Sequence, residues 1–178
     1  MLRPNLANLV MGWWEETHVY PLQNFDDHVL LMLRYVDDLF IVWQGSMDLA
    51  VQFVNILNHN ELNLKFMYTM SKEELIFLDI KITIEDGFVT TSLYRKETAG
   101  NTLLHARSCH PRNLIHSIPY GELIRARRNC SNEEHFTKES EIMCKRFLER
   151  GYSQKIVKEA LAKAIKKERH SLFVSIKK

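Results

Sequence analysis

Residues 29–43, VLLMLRYVDDLFIVW, set two adjacent carboxylates, Asp37 and Asp38, in the middle of an otherwise apolar and aromatic run. A run of this kind broken at its centre by two turn-favouring residues predicts two strands joined by a tight turn. Along a regular strand neighbouring side chains point to opposite faces, whereas at a hairpin tip two acids can converge on one spot. The flanking Leu30, Leu31, Leu33, Phe40, Ile41, Val42 and Trp43 suggest an apolar setting, where an unpaired charge is costly and a compensating partner is expected. A hard cation such as Mg²⁺ suits that role, because it is held by one or two carboxylates together with substrate phosphates. Asp is also a common turn residue in its own right, so the dipeptide alone leaves both readings open.

Outward from this segment, Leu6, Leu9, Val10 and Trp13 recur at helical spacing and predict a first helix over 5–17, with Pro4 suited to its first turn. Asp26 and Asp27, between that helix and the hairpin, read as turn residues. Ser46 is placed to cap a helix over 47–58 whose Leu49, Phe53, Ile56 and Leu57 form one stripe. Strand patterns follow at 62–68, 75–84 and 88–95, the last two separated by the hairpin signal Asp86-Gly87. From Thr98 onward a connector bearing Pro and His leads into helices. Ser131 and Glu134 form a candidate capping box, Gly151 ends a helix, and Ser153 caps the last one. In that last helix Ile156, Val157, Ala160, Leu161, Ala164 and Ile165 are expected inside and Lys155, Lys158, Lys163, Lys166 and Lys167 outside.

The chain has 178 residues, 46% of them hydrophobic and 26% charged, with 6 Gly and 4 Pro, which excludes disordered, collagen-like and low-complexity classes. Three unpaired-looking cysteines point to a reducing, intracellular compartment, nuclear or cytoplasmic. No membrane span or export signal is visible in the sequence. The net charge of +2 conceals a division: residues 1–89 carry 5 Lys+Arg against 13 Asp+Glu, and residues 90–178 carry 19 against 9. A basic half points to a polyanionic partner, although solvated faces are the commoner origin of such a split.

Within 95–130, Arg95, Lys96, Arg107, Arg112, Arg125, Arg127 and Arg128 face only Glu97 and Glu122, which makes contact with phosphates plausible on charge. Residues 132–168, two helices about Arg150-Gly151-Tyr152-Ser153, fit a helix-turn-helix outline, but such an outline more often reflects plain packing. His105, Cys109, His110, His116, Cys130, His135 and Cys144 lack the spacing of a zinc site. The tryptophans and methionines sit mostly in apolar stripes and read as core.

Arg34-Tyr35-Val36-Asp37-Asp38-Leu39 resembles the signature of reverse transcriptases, and Phe77-Leu78-Asp79-Ile80 looks like their primer-grip strand. Pro4, Ala7, Asn8 and Leu9 resemble the motif preceding the catalytic hairpin. Together with LNLKF, SLYRKETAGNTLLHARSCHP and SIPYGELIRARRNCS, these stretches resemble the reverse transcriptases of Penelope-like retroelements. The resemblance implies an α+β chain: a palm-like antiparallel sheet with covering helices over 1–97, then a basic, all-helical, thumb-like region over 98–178. It implies that Asp37 and Asp38 are catalytic and bind Mg²⁺ or Mn²⁺ for two-metal nucleotidyl transfer. Tyr35 would lie near the primer end, and Phe77, Leu78 and Asp79 would hold the primer strand. Arg95, Lys96, Arg125, Arg127 and Arg128 would contact the duplex of RNA template and DNA primer, with a dNTP as the substrate of the complete enzyme. The family draws a further Asp from a strand before the Pro-x-x-Ala-Asn segment, so this chain by itself is expected to be inactive. The alternatives are a nucleic-acid-binding module without chemistry, or a truncated retroelement product without function.

Overall fold

A hairpin, a three-stranded sheet and five α-helices make up the computed structural model, which describes residues 4–22, 25–96, 98 and 100–173, with Pro4 and Asn5 described by their backbone alone. The architecture is mixed α+β. The strands do not combine into one palm-like sheet: β1 and β2 form one sheet and β3, β4 and β5 another, in two separate compact units, Met1–Met70 and Ser71–Lys178.

The first unit runs α1 (Pro4–Trp14), a π-helical turn (Glu15–Val19), β1 (Val29–Tyr35), β2 (Asp38–Trp43) and α2 (Met47–Asn58). Met32 lies opposite Ile41 and Tyr35 opposite Asp38, so the turn falls on Val36-Asp37. Its core gathers Trp14, Val19, Phe25, Phe53, Val54 and Leu57. Trp14 stacks on Phe66 at 5.1 Å between ring centroids, and Phe25 meets Phe53 edge-on at 5.2 Å. Ser46 caps α2 as expected, accepting from the Leu49 amide at 3.3 Å. Within α2 the buried residues are Ala50, Phe53, Val54 and Leu57, and Ile56 of the expected stripe is instead 43% exposed.

This unit departs from the sequence pattern in two places. The first helix forms, but its periodic stripe of Leu6, Leu9, Val10 and Trp13 is exposed, and Trp14 supplies the burial. The reason is an ion pair on the other side of the helix: buried Glu15 accepts from Arg34 Nε of β1 at 2.6 Å, and Arg34 Nη1 also reaches Asn8 Oδ1 at 3.1 Å. A buried carboxylate needs its partner, so this contact fixes which face turns inward. Residues 62–68 form no strand either. Asn58 exchanges two hydrogen bonds with the backbone of Phe66, at 2.6 and 3.0 Å, and Asn60 exchanges two with Leu64, both at 2.9 Å. These asparagine side chains satisfy the backbone groups that a strand would have offered to a sheet.

In the second unit the pattern over 75–84 divides into β3 (Glu74–Phe77) and β4 (Ile80–Glu85), with Leu78-Asp79 as the turn, and β5 (Phe88–Leu93) follows. Asp86 and Gly87 take φ of 51° and 80°, the left-handed pair that a two-residue Asp-Gly hairpin turn requires. Then come α3 (Arg112–Asn129), α4 (Glu133–Glu149) and α5 (Gln154–Ile165). Their core contains Ile115, Leu123, Ala126, Phe136, Met143, Phe147, Tyr152, Val157 and Ala160, and Leu93 of β5 joins it.

The sheet is tied to the helices rather than to the hairpin. Ser131 Oγ accepts from the Thr91 amide at 2.9 Å, Thr91 Oγ1 donates to the Asn129 carbonyl at 2.7 Å, and Arg95 pairs with Glu139. The division between units thus falls at 70/71 rather than at the 97/98 boundary expected from the sequence. Because Ser131 is engaged with β5, the cap of α4 is Asn132, whose Oδ1 accepts from His135 N at 2.8 Å. Of the residues expected inside α5, Ile165 is exposed.

Candidate nucleic-acid interface

The hairpin does not bury its acids. Asp37 and Asp38 are both exposed, and Tyr35 beside them is 60% exposed. Water therefore supplies the compensation that the apolar flanks seemed to demand, because the tip of a two-stranded ribbon projects past its own side chains. Val36 takes φ of 57°, a strained conformation for a β-branched residue, and Arg34 Nη1 donates to its carbonyl at 3.1 Å. Asp26 and Asp27 lie in the turn before β1, as expected. Among the described residues no group of three or more His, Cys, Asp or Glu is placed to hold a metal ion.

Phe77, Leu78 and Asp79 do not form a continuous strand. Phe77 ends β3 opposite Ile80, Leu78 is the turn residue with φ of 56°, and the Asp79 carbonyl accepts from Tyr94 N at 2.8 Å.

The five basic residues chosen from the sequence serve different ends. Arg127 is largely buried: it pairs with Glu133 at 2.6 Å, donates to the Lys167 carbonyl at 3.0 Å and lies 4.8 Å over the Phe136 ring. Arg95 pairs with Glu139, both side chains mostly shielded. Arg125 is half-exposed and divides itself between Asp79 at 3.3 Å and Glu122 at 3.0 Å. Lys96 and Arg128 are exposed. Only these last two present a side chain to solvent without a recorded ion pair among the described residues.

A better-formed cationic surface lies on α5. The turn before it, Arg150-Gly151-Tyr152-Ser153, joins α4 to α5. Gly151 sits at φ of 79°, a left-handed conformation that favours glycine, and a Cβ there would also crowd the exposed His105 ring at 3.3 Å. Tyr152 is buried edge-on against Phe147 at 5.3 Å, and burial raises its hydroxyl pKa above the ordinary value. Ser153 Oγ caps α5 through Ile156 N at 3.4 Å. The connector before α3 straps this turn: Ala106 N donates to the Arg150 carbonyl at 2.9 Å, and Asn101 Nδ2 donates to the Arg146 carbonyl at 2.8 Å. With Val157, Ala160 and Ala164 buried, the opposite face of α5 presents Gln154, Lys155, Lys158, Glu159, Ala162 and Lys163 to solvent.

The sequence pattern identified the lysines of α5, but not Gln154 beside them or the strap beneath the turn. The interior of α3 also went unread, because Pro119 lies within the helix and reads as a break. Its Ile115, Pro119, Leu123 and Ala126 recur on one buried face, and that spacing was the available signal.

Part of this unit matches a known family. Residues 102–161 match the animal helix-turn-helix domain. The match takes in the strap, α3, α4 and most of α5, about a third of the chain. Comparison with curated proteins and with solved structures finds no match. The finding overturns the resemblance to Penelope-like reverse transcriptases: no reverse-transcriptase family matches. A short hairpin with an aromatic and two acids at its tip follows from turn chemistry alone, and this one forms a two-stranded sheet of its own. The helix-turn-helix outline, ranked below plain packing on sequence, gains the support that the polymerase reading lacks.

Proposed function

We propose that residues 102–161 bind double-stranded DNA, with α4 and α5 as the helix-turn-helix pair and the exposed face of α5 against the duplex. The observation that carries this reading is the match to the animal helix-turn-helix domain. Geometry supports it. The turn is held by Gly151, Tyr152 and the connector, so α5 is presented rigidly, and a positioned helix loses little freedom on docking. Gln154 and Lys155 stand at the N-terminal end, the part of a recognition helix that meets base edges in the major groove. Lys158 and Lys163 neutralise phosphates and release counterions, so affinity is strongly salt-dependent.

Fluorescence anisotropy with a duplex DNA and an RNA–DNA hybrid of equal length, across a salt series, tests the proposal. The DNA duplex binds more tightly, because A-like geometry makes the major groove too deep and narrow for a helix. Replacing Lys155, Lys158 and Lys163 together by Ala lowers the slope of log affinity against log salt by about 2–3. Unchanged affinity and slope in that variant would remove α5 from the interface and overturn the reading.

A further inference from the structure

One cleft of the second unit lies apart from the exposed face of α5 and collects cationic side chains from three different segments. Arg95 enters from the chain just after β5, Arg125 from α3 and Arg146 from α4, with Thr102 of the connector, Glu122 and Met143 completing the wall. We propose that this cleft binds a phosphate group.

Each guanidinium is held by a partner that uses only part of its donor set. Glu139 takes Arg95 Nη1, Asp79 and Glu122 hold Arg125 at 3.3 and 3.0 Å, and the Gly100 carbonyl accepts from Arg146 Nη2 at 3.1 Å. An arginine has five N–H donors in a rigid fork, so these bonds of Arg95 and Arg146 leave donors over, while Arg125 engages both Nη atoms and keeps only the second hydrogen of each and its Nε. Arg95 Nη2 is buried and has no hydrogen-bond partner, a donor that the Glu139 pair leaves over and that a small shift of the side chain would bring to the cleft. Three forks from three segments suit an anion with several acceptor oxygens, and Thr102 adds a hydroxyl. The cleft has a volume of about 150 Å³. That admits a phosphate group but falls short of the roughly 300–1,000 Å³ typical of pockets for larger organic ligands. Because Glu122, Asp79 and Glu139 already offset much of the charge, the free anion is expected to bind weakly.

The probe is inorganic phosphate, titrated against chloride at matched ionic strength and followed by amide and arginine side-chain NMR. Saturable shifts at Thr102, Arg125 and Arg146 are expected with phosphate and not with chloride. Arg146→Gln weakens the response at least about tenfold, whereas Arg146→Lys, which keeps the charge and loses the fork, falls between. Circular dichroism confirms that both variants stay folded. Equal shifts with chloride, or an unaltered response in Arg146→Gln, overturn the proposal. Duplexes with 5′-phosphate or 5′-hydroxyl ends identify the source. A preference for the 5′-phosphate that Arg146→Gln abolishes assigns the cleft to a strand end, and a phosphate response without that preference assigns it to a free phosphate. The variant lacking Lys155, Lys158 and Lys163 keeps its phosphate response, so failure of duplex binding through α5 and failure of the cleft are separate results.

Discussion

Helices α1 and α5 carry apolar residues at the same spacing and end in different surroundings. The stripe of α1, Leu6, Leu9, Val10 and Trp13, is 41–70% exposed, while Val157, Ala160 and Ala164 of α5 are at most 5% exposed. The difference lies in what stands opposite. The inner side of α1 is claimed by the Glu15–Arg34 pair and by Trp14, whereas α5 packs on α3 and α4, whose Leu123, Ala126 and Phe147 are fully buried. Spacing defines a face, and the neighbouring element decides whether that face is covered.

The sharpest test of this contrast is Phe147→Ala. Truncating a fully buried aromatic of the second unit costs about 3–5 kcal/mol, read from chemical denaturation. Trp13→Ala, a larger truncation on the bare stripe, is the matched control, with a change within about 0.5 kcal/mol. A loss at Trp13 approaching that at Phe147 would show that the α1 stripe is covered in solution.

Next in size is a pH effect confined to the helical unit. Burial raises the Cys130 thiol above its ordinary 9.0 and the Tyr152 hydroxyl above 10.0. Between the ordinary and raised values the folded state keeps a proton that the unfolded state has released. Stability is therefore full below about pH 9 and falls as pH rises. Cys130→Ala removes the thiol's share of that alkaline decline, measured as the slope of unfolding free energy against pH.

A smaller gain is expected in the first unit. Val36→Gly relieves a left-handed β-branched residue and raises stability by up to about 1 kcal/mol. The smallest effect belongs to function: Asp37→Asn, in the hairpin, leaves duplex affinity within about twofold, in contrast to the lysine variant of α5. A large change at Asp37 would bring the first unit into the interface and break the assignment of binding to the second.

Local chemistry was readable where a residue acts on its own backbone. Asp86-Gly87, Ser46, Ser153 and Gly151 all serve the turns and caps that their side chains favour. Residues that act through distant partners were not. Arg127 and Arg95, read as phosphate contacts, also hold Glu133 and Glu139, pairs that the sequence does not announce because it lists charges without their neighbours. The hairpin at Asp37-Asp38 was legible as a turn, but its acids are exposed, since burial depends on what covers a ribbon.

By itself, then, the sequence determined the α+β class, the turns of the β1–β2 and β4–β5 hairpins, the capped helix α5 with its outward lysines and the opposite charges of the two halves. These follow from interactions within a few residues or from simple composition. The tertiary structure alone decided that the three-stranded sheet joins the helices, that the α1 stripe faces solvent, and that arginines from β5's end, α3 and α4 line one cleft. Each of those depends on contacts between segments distant in sequence, for which periodicity and spacing carry no information.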